Sequence, residues 1–366
     1  MLTPDHRGRL RDAASRLADA GGTAVVIAPS PDLRYLIGYE PMPLERPTVL
    51  VVTVDGAPAL IVPALELPLA QQAPAADAVE LVGWRDDEDP YATIASRIAG
   101  GGTVFVGERI WGSHVLALQR ALPGAAWASA TPIVGAMRAR KDPAELDALR
   151  RAASAADAAF GDLVSEPFSG RTERAIAATL ADVLVERGHD SAAFTIVASG
   201  PNAASPHHEP TDRTIGAGDA VVLDFGGTVD GYYSDTTRTV AVGGPGERLR
   251  AVHAVVAEAQ RVATEAVRPG VEIEAVDRAA RTVIGDAGFG ERFIHRTGHG
   301  VGMELHEPPY ATAGDRTVLE PGMTFSVEPG IYLDGELGVR IEDIVTVTDD
   351  GVEPLNTTSR DLLTVD

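Results

Sequence analysis

Residues 220–242 read AVVLDFGGTVDGYYSDTTRTVAV, and this stretch decides the fold of the second half of the chain. Two apolar runs flank Asp230-Gly231, a dipeptide typical of a two-residue β-hairpin turn. A turn there places Asp224 opposite Thr237. Asp235 shares the face of Thr237, because side chains along a strand alternate with a period of two. The hairpin therefore predicts a diagonal pair of carboxylates at most about 7 Å apart, unless a bulge at the Gly-Gly pair shifts the register.

A second pair of carboxylates repeats this arrangement near the end of the chain. The apolar runs MTFSVEPGIYL and GVRIEDIVTV are separated by an Asp-Gly turn signal at residues 334–335. Glu328 and Glu342 are then expected on neighbouring antiparallel strands. Arg340 faces the same way as Glu342, and an arginine in this place can hold a carboxylate through paired hydrogen bonds.

His299, in the string RTGHGVG between the two hairpins, is a fifth candidate ligand. Each of the five residues alone has an ordinary explanation as a turn, cap or loop residue. Together, however, they interrupt apolar strands, where an unpaired buried charge would be costly. Four carboxylates and one imidazole suit two divalent cations with bridging carboxylates better than one tetrahedral zinc. The sequence therefore predicts a metal site formed by Asp224, Asp235, His299, Glu328 and Glu342.

In their order and local strings, these five residues resemble the ligand motifs of the pita-bread metallopeptidases, which include prolidase, aminopeptidase P and methionine aminopeptidase. The similarity is strong over residues 140–366. Residues 1–135 resemble, less specifically, the amino-terminal domain of the prolidase, aminopeptidase P and creatinase branch. The resemblance implies an α/β (α+β) chain with a creatinase/prolidase-like N-terminal domain at 1–135. A pita-bread catalytic domain with pseudo-twofold halves is expected at 136–366, and we also expect a homodimer.

The hydrophobic pattern also divides the chain into two parts. Residues 22–130 alternate short apolar strands with helical segments, which predicts a small α/β domain with a mixed sheet and no nucleotide-binding glycine pattern. A long amphipathic helix with Pro143 at its start follows, and its charged beginning is the expected domain junction. Beyond it, helices followed by a carboxylate hairpin occur twice, which predicts a coarse internal duplication.

Composition agrees with a cytoplasmic enzyme. A chain of 366 residues with 45% hydrophobic content can build two cored domains and is not disordered. The absence of cysteine excludes a disulfide framework and thiolate ligands. A net charge of −22 argues against nucleic acid as a partner, because phosphate backbones bind Lys and Arg clusters. The chain starts with a charged amphipathic pattern rather than a signal peptide, and no apolar stretch is long enough to span a membrane. The acidity has two explanations, ordinary solubility or a high-salt cytoplasm.

Three further histidines match family positions by the same resemblance. His207, in the turn-rich loop SGPNAASPHHEPT, and His306, in GHGVGMELHEPP, match two histidines that contact the substrate or its tetrahedral intermediate. His295 matches a substrate-side histidine of the prolidase and aminopeptidase P branch. His208 competes with His207 if the loop alignment is shifted by one residue.

The chemistry implied by this resemblance is hydrolysis of an amide bond. Two divalent ions lower the pKa of a bridging water and so supply hydroxide near neutral pH. Manganese or cobalt is the expected metal, and zinc or iron is also compatible with the ligand set. We expect Glu328 to move a proton to the leaving nitrogen besides binding metal, and His207 and His306 to donate hydrogen bonds to developing negative charge.

The branch implies cleavage of the Xaa-Pro bond at the amino terminus of a dipeptide or short peptide, by an Xaa-Pro dipeptidase or an Xaa-Pro aminopeptidase. We interpret Tyr310 and Arg340 as substrate-binding residues. Tyr310 stands where well-known prolidases have a carboxylate-binding arginine, so dipeptides and tripeptides are expected to be cleaved about equally well, unless Arg296 or Arg316 substitutes. Two alternatives stay open: a creatinase-like or other non-peptide C–N hydrolase, and a non-catalytic binding protein of the same fold.

Overall fold

The computed structural model describes residues 4–98 and 100–366. The chain divides into two compact units, Met1–Arg138 and Ala139–Asp366. Within the described residues, no helix combines the length and apolar character needed to cross a membrane.

The first unit is built on one six-stranded mixed sheet. Its strands are β1 (Gly22–Ile27), β2 (Val49–Thr53), β3 (Ala59–Pro63), β4 (Glu80–Trp84), β5 (Gly102–Val106) and β6 (Ala125–Ser129), in the spatial order β4-β3-β2-β1-β5-β6. Its helices are α1 (His6–Asp19), α2 (Pro31–Ile37), α3 (Leu67–Ala70), α4 (Pro90–Ser96) and α5 (Gly112–Ala121), with α6 (Ala136–Ala139) at the end of the unit. The pairs β1–β2 and β2–β3 are antiparallel and the others are parallel, so the predicted mixed sheet is confirmed.

The second unit begins with helix α7 (Pro143–Leu163), whose start is fixed by a capping box. The Asp142 side chain accepts from the Glu145 backbone, the Glu145 side chain accepts from the Asp142 backbone, and Pro143 takes the first helical position. Helices α8 (Glu173–Glu186), α9 (Glu247–Ala266) and α10 (Glu274–Asp286) complete the helical layer.

The strands of the second unit form two five-stranded sheets and a separate hairpin. The first sheet has the order β18-β10-β8-β7, with β9 paired to β8; it contains β7 (Ser191–Ser199), β8 (Ala220–Val229), β9 (Tyr232–Tyr233), β10 (Thr236–Val242) and β18 (Leu363–Val365). The second sheet has the order β12-β11-β13-β16-β17; it contains β11 (Gly298–Gly300), β12 (Glu307–Ala311), β13 (Thr324–Val327), β16 (Asp343–Val347) and β17 (Val352–Pro354). The hairpin is β14 (Gly330–Leu333) with β15 (Leu337–Arg340).

Each sheet is covered by its own pair of helices, which gives the unit two similar halves. Phe160 of α7 and Leu180 of α8 are buried in one core with Leu223 of β8. Val256 of α9 is buried in a second core with Phe325 of β13. The same order of two helices and an antiparallel sheet occurs in both halves, as expected for a pita-bread fold.

The one lysine of the chain forms a buried ion pair in this unit. Lys141 Nζ lies 2.7 Å from Glu307 Oε1, and the two side chains are 1% and 4% exposed. Glu307 directly follows His306 and begins β12. The pair therefore joins the segment before α7 to the strand that follows a candidate catalytic histidine.

We expect Lys141→Met to destabilise the protein by about 3–5 kcal/mol, because it leaves the Glu307 carboxylate buried without its cation. The double variant Lys141→Met/Glu307→Gln should recover most of that loss, since the charge is removed together with its partner. Urea denaturation of chelator-treated protein measures the free energy of unfolding of the single and the double variant. The control is Arg150→Gln, which breaks an ion pair with Glu353 whose partners are 42% and 40% exposed, and it should cost less than about 1 kcal/mol. If Arg150→Gln loses as much stability as Lys141→Met, burial does not make the Lys141–Glu307 pair more important than an exposed pair.

Candidate active site

The first carboxylate pair lies on the hairpin formed by β8, β9 and β10. Asp230 and Gly231 both have positive φ, as a two-residue type I′ turn requires. Asp224 is paired with Thr237, so the predicted register is observed. The Gly-Gly pair of β8 causes no shift against β10; the irregularity lies on the other side of β8, in its pairing with β7.

The second carboxylate pair, Glu328 and Glu342, lies where the two strands of a hairpin leave the second sheet and continue as the separate hairpin β14–β15. Val327 pairs with Asp343 in the second sheet, whereas Gly330 pairs with Arg340 in the separate hairpin. Glu328 and Glu342 lie between these segments, not within paired neighbouring strands as predicted from the sequence. Glu342 instead bridges to Thr237 of β10. This bend brings the second pair of carboxylates up to the first.

His299 lies among these carboxylates. Its Nδ1 donates to the carbonyl oxygen of Gly300 at 3.2 Å, while its Nε2 lies 3.2 Å from Glu328 Oε1 and 3.6 Å from Asp235 Oδ2. Ligand atoms of Asp235, His299 and Glu342 all lie within 4.8 Å of one another. The arrangement matches that of metal-binding histidines, which donate their second ring N–H to a fixed acceptor.

All five candidate ligands line one cavity of ≈ 420 Å³. Its wall also contains the histidines, the arginines and the apolar side chains that the substrate would meet. The lining residues are Phe194, Ile196, Pro206, His207, Glu209, Asp224, Asp235, His295, Arg296, His299, Leu305, His306, Glu328, Arg340 and Glu342.

Burial and mutual repulsion dominate the electrostatics of the cluster. Burial raises the pKa of Asp235 well above its ordinary value, and the charges of Asp224 and Glu328 add to the effect. Burial, followed by the charges of Asp235, Glu328 and Asp224, does the same to the pKa of Glu342. Burial also raises the pKa of Glu328, but the hydrogen bond to His299, together with the charges of His299, His295 and Arg340, outweighs burial and lowers the pKa to about 2.

These residues fit divalent metal ions. His299 Nε2 lies close to the carboxylates of Glu328 and Asp235, so a positive charge between these groups is stabilised. A proton or a metal ion can supply that charge. Asp224 Oδ1 is buried and has no hydrogen-bond partner among the described residues, which is costly for a carboxylate oxygen unless it binds a cation. Oxygen donors with one imidazole are the set that Mn²⁺, Co²⁺, Zn²⁺ and Fe²⁺ can share.

Arg340 is buried beside the cluster and its donors are already used. Its Nη2 donates to Asp224 Oδ2 at 2.5 Å, its Nη1 to the Tyr332 hydroxyl at 2.8 Å and its Nε to Thr237 Oγ1 at 3.1 Å. The contact with Asp224 is thus a single hydrogen bond, not the paired contact expected from the sequence. Arg340 orients a candidate ligand, while its assignment as a substrate-binding residue stays a prediction.

The two adjacent histidines of the 200–211 loop point to different surroundings. His207 lines the cavity, whereas His208 Nε2 lies 3.1 Å from the carboxylate of Glu173. Glu173, the first residue of α8, is fully buried and also accepts from the backbone and hydroxyl of Ser199 and Thr211. Burial opposes its ionisation, but these hydrogen bonds outweigh burial and lower the pKa of Glu173 to about 2. The loop is therefore held with His207 at the cavity.

His306 and His295 also border the cavity. The ring of His306 lies 3.9 Å from that of His299, centroid to centroid. Burial, together with the positive charges of His299 and Arg296, lowers the pKa of His306 to about 4, so its imidazole is neutral near pH 7. His295 Nδ1 donates to the carbonyl of Arg296 at 2.7 Å, and its Nε2 accepts from the Tyr332 hydroxyl at 2.8 Å.

Two helix acids outside the predicted site support the segments that precede its histidines. Glu173 is the first, and Asp277 of α10 is the second: its Oδ1 accepts from the backbone and hydroxyl of Thr297, two residues before His299. In sequence, both are ordinary acidic residues in the first turn of a helix. Their hydrogen-bond partners lie 20 or more residues away in the sequence. The sequence feature that could have identified them is that each lies in the first turn of the second helix of its half.

The buried carboxylate cluster at the meeting point of two hairpins defines a metallohydrolase centre. The chain belongs to metallopeptidase family M24, whose model matches residues 147–349, and the creatinase/prolidase N-terminal domain matches residues 9–140.

Known proteins are similar over nearly the whole chain. The protein named "Probable dipeptidase PepE" of Mycobacterium tuberculosis is 45% identical over 98% of this chain and 96% of its own. The Xaa-Pro dipeptidase of Lactobacillus helveticus is 37% identical over 94% of this chain and 96% of its own. The crystal structure of dipeptidase PepE from Mycobacterium ulcerans superposes with a TM-score of 0.96 at 43% identity and covers 98% of each chain.

We predict that the purified protein binds two divalent ions per chain and that Asp235→Asn or Glu342→Gln lowers this number. Each ion present at 100 times its Kd should add about 2.7 kcal/mol to the free energy of unfolding of the wild type. In metal-free protein, Asp235→Asn should instead be stabilising, because it removes a buried carboxylate that its neighbours repel.

Elemental analysis after dialysis gives the ion content, and denaturation with and without manganese gives the stabilities. Glu209→Gln is the matched control, since it removes a carboxylate that lines the cavity outside the predicted ligand set. Full occupancy in both ligand variants, or a loss as large in the Glu209→Gln control, would overturn the ligand assignment.

Proposed function

We propose that this protein is an Xaa-Pro peptidase that hydrolyses the amide bond before proline in dipeptides or short peptides. The buried carboxylate cluster with His299 is the observation that supports it most strongly. The similarity to an Xaa-Pro dipeptidase supports the choice of substrate.

The metal ligands in this proposal are Asp224, Asp235, His299, Glu328 and Glu342. Two divalent ions bound by this set would lower the pKa of a water and polarise the scissile carbonyl. Manganese or cobalt is the metal we favour, with zinc or iron as alternatives.

The protein groups then handle protons and charge. Glu328 accepts the proton of the attacking water and passes it to the leaving nitrogen; its place in the cavity wall among the other candidate ligands supports this role. His306, neutral near pH 7, donates one N–H to the negative charge that develops on the carbonyl oxygen. His207, which lines the same cavity, has the same role from the opposite half of the domain.

Phe194, Ile196 and Leu305 supply apolar wall next to these polar groups. A proline ring has no N–H to satisfy and buries well against such a wall. His295, held by Tyr332, and Arg340 complete the substrate side of the proposal.

Three further properties belong to the same proposal. The catalytic domain comprises residues 136–366 and follows a creatinase/prolidase-like domain at 1–135. The protein works as a homodimer in the cytoplasm, where a chain without cysteine needs no disulfides.

Incubation of manganese-loaded protein with Ala-Pro, Leu-Pro and Met-Pro, followed by chromatography, tests the proposal. We expect release of free proline that is abolished by a chelator and restored by manganese or cobalt. Creatine serves as the control substrate for the creatinase-like alternative. Hydrolysis of creatine but of no dipeptide would favour that alternative, and no hydrolysis of any substrate by fully loaded protein would favour a binding protein.

We predict that His306→Ala and His207→Ala keep both ions yet lower kcat about 10²–10³-fold, because each removes a donor to charge present only in the transition state. His208→Ala is the matched control, since His208 is bound to Glu173 outside the cavity. Kinetics on Ala-Pro with the ion content measured in parallel check this. A damaging His208→Ala combined with a silent His207→Ala would show that the two histidines are exchanged.

A further inference from the structure

The cavity contains two guanidinium groups that differ in what they bind. Arg340 is buried and its donors contact Asp224, Tyr332 and Thr237. Arg296 is half-buried and, among the described residues, forms no ion pair with a carboxylate. Because no carboxylate of the described residues pairs with it, the Arg296 guanidinium is the group in the cavity that can bind an anionic group of a substrate.

The side chain of Tyr310 holds this guanidinium in place. The central carbon of the Arg296 guanidinium lies 4.4 Å from the centroid of the Tyr310 ring, which is within cation–π distance. Tyr310 is itself fixed on β12, where it pairs with His299 and donates its backbone N–H to Asp315 Oδ2 at 3.0 Å. A planar donor that is stacked in advance loses less entropy when it binds a planar carboxylate.

Arg296 is also next to the reacting groups. Its Nη2 lies 3.5 Å from His306 Nδ1, and the ring of His306 lies 3.9 Å from that of His299, centroid to centroid. In an Xaa-Pro dipeptide, the scissile carbonyl and the terminal carboxylate belong to consecutive residues, whose Cα atoms are about 3.8 Å apart. A group that borders His306 is therefore within reach of that carboxylate.

Arg316, the other arginine considered from the sequence, is in a different situation. Its side chain is 70% exposed, its Nη1 lies 3.0 Å from Glu272 Oε2, and it does not line the cavity. It serves as a control rather than a candidate.

We propose that Arg296, stacked on Tyr310, binds the free α-carboxylate of the substrate and thereby makes the enzyme selective for dipeptides. This inference rests on the proposed Xaa-Pro peptidase activity. The sequence led to the opposite expectation, that Tyr310 in place of an arginine relaxes the demand for a free carboxyl terminus. In the proposal the cation is Arg296, from the segment before His299, and the Tyr310 ring holds its guanidinium.

Ala-Pro and Ala-Pro-amide provide the test, because they differ only in the charge of the carboxyl terminus. For the manganese-loaded wild type, kcat/KM should be about 10- to 100-fold higher for Ala-Pro, the factor expected for a charge-assisted hydrogen bond. Arg296→Gln should remove most of this preference by lowering kcat/KM for Ala-Pro, with little change for the amide. Arg316→Gln should keep the wild-type ratio.

The platform is tested with a matched pair. Tyr310→Phe keeps the ring and should retain the preference for the free acid, whereas Tyr310→Leu should lose most of it. Ion content, measured for each variant, shows whether the metal site is intact.

Three results would overturn the inference. Equal losses on both substrates in Arg296→Gln would mean that Arg296 acts on His306 rather than on the carboxylate. A changed ratio of Glu-Pro to Ala-Pro, with an unchanged acid-to-amide ratio, would place Arg296 at the side chain before proline. A wild type that cleaves both substrates equally well would also contradict it. Failure of the proposed function looks different, because then neither substrate is cleaved by any variant.

Discussion

The structure of the second unit depends on one electrostatic constraint: three buried carboxylates, the partly buried Glu328 and a buried imidazole line one cavity. Burial and mutual repulsion raise the pKa of Asp235 and Glu342, and within residues 4–98 and 100–366 one buried oxygen of Asp224 has no hydrogen-bond partner. A folded protein retains such a cluster only if something else outweighs its cost, because unpaired buried charge is strongly destabilising. Cations bound among these groups remove the repulsion and make the cluster a reactive centre.

The fold builds this cluster from its two similar halves. Each half supplies two carboxylates from a bent or tightly turned hairpin, and the bridge from Glu342 to Thr237 joins them. Each half also has a helix acid that accepts from both the backbone N–H and the hydroxyl of one residue: Glu173 from Ser199 at the end of β7, and Asp277 from Thr297 just before β11. The segments that precede His207 and His299 are thus held by equivalent hydrogen bonds, which help to keep both histidines in position.

The parts of the fold and of the site that could be predicted from the sequence depend on residues close to one another in the chain. The register of Asp224 was predictable because a two-residue turn fixes which residues pair. The bend at Glu328 was not, because the alternation that predicts a strand does not say which sheet the strand joins. Asp277 and Glu173 were missed because their partners are distant in sequence. The place of Arg296 depends on the strand pairing that brings Tyr310 beside it, and no periodicity encodes that.

The central claim is that the buried cluster holds two metal ions, and anomalous diffraction from a manganese-loaded crystal tests it most directly. Two anomalous peaks about 3.5–4 Å apart are expected, with oxygen atoms of Asp224, Asp235, Glu328 and Glu342 and Nε2 of His299 in their coordination spheres. A single peak, or peaks outside the contacts of these residues in fully loaded protein, would contradict it.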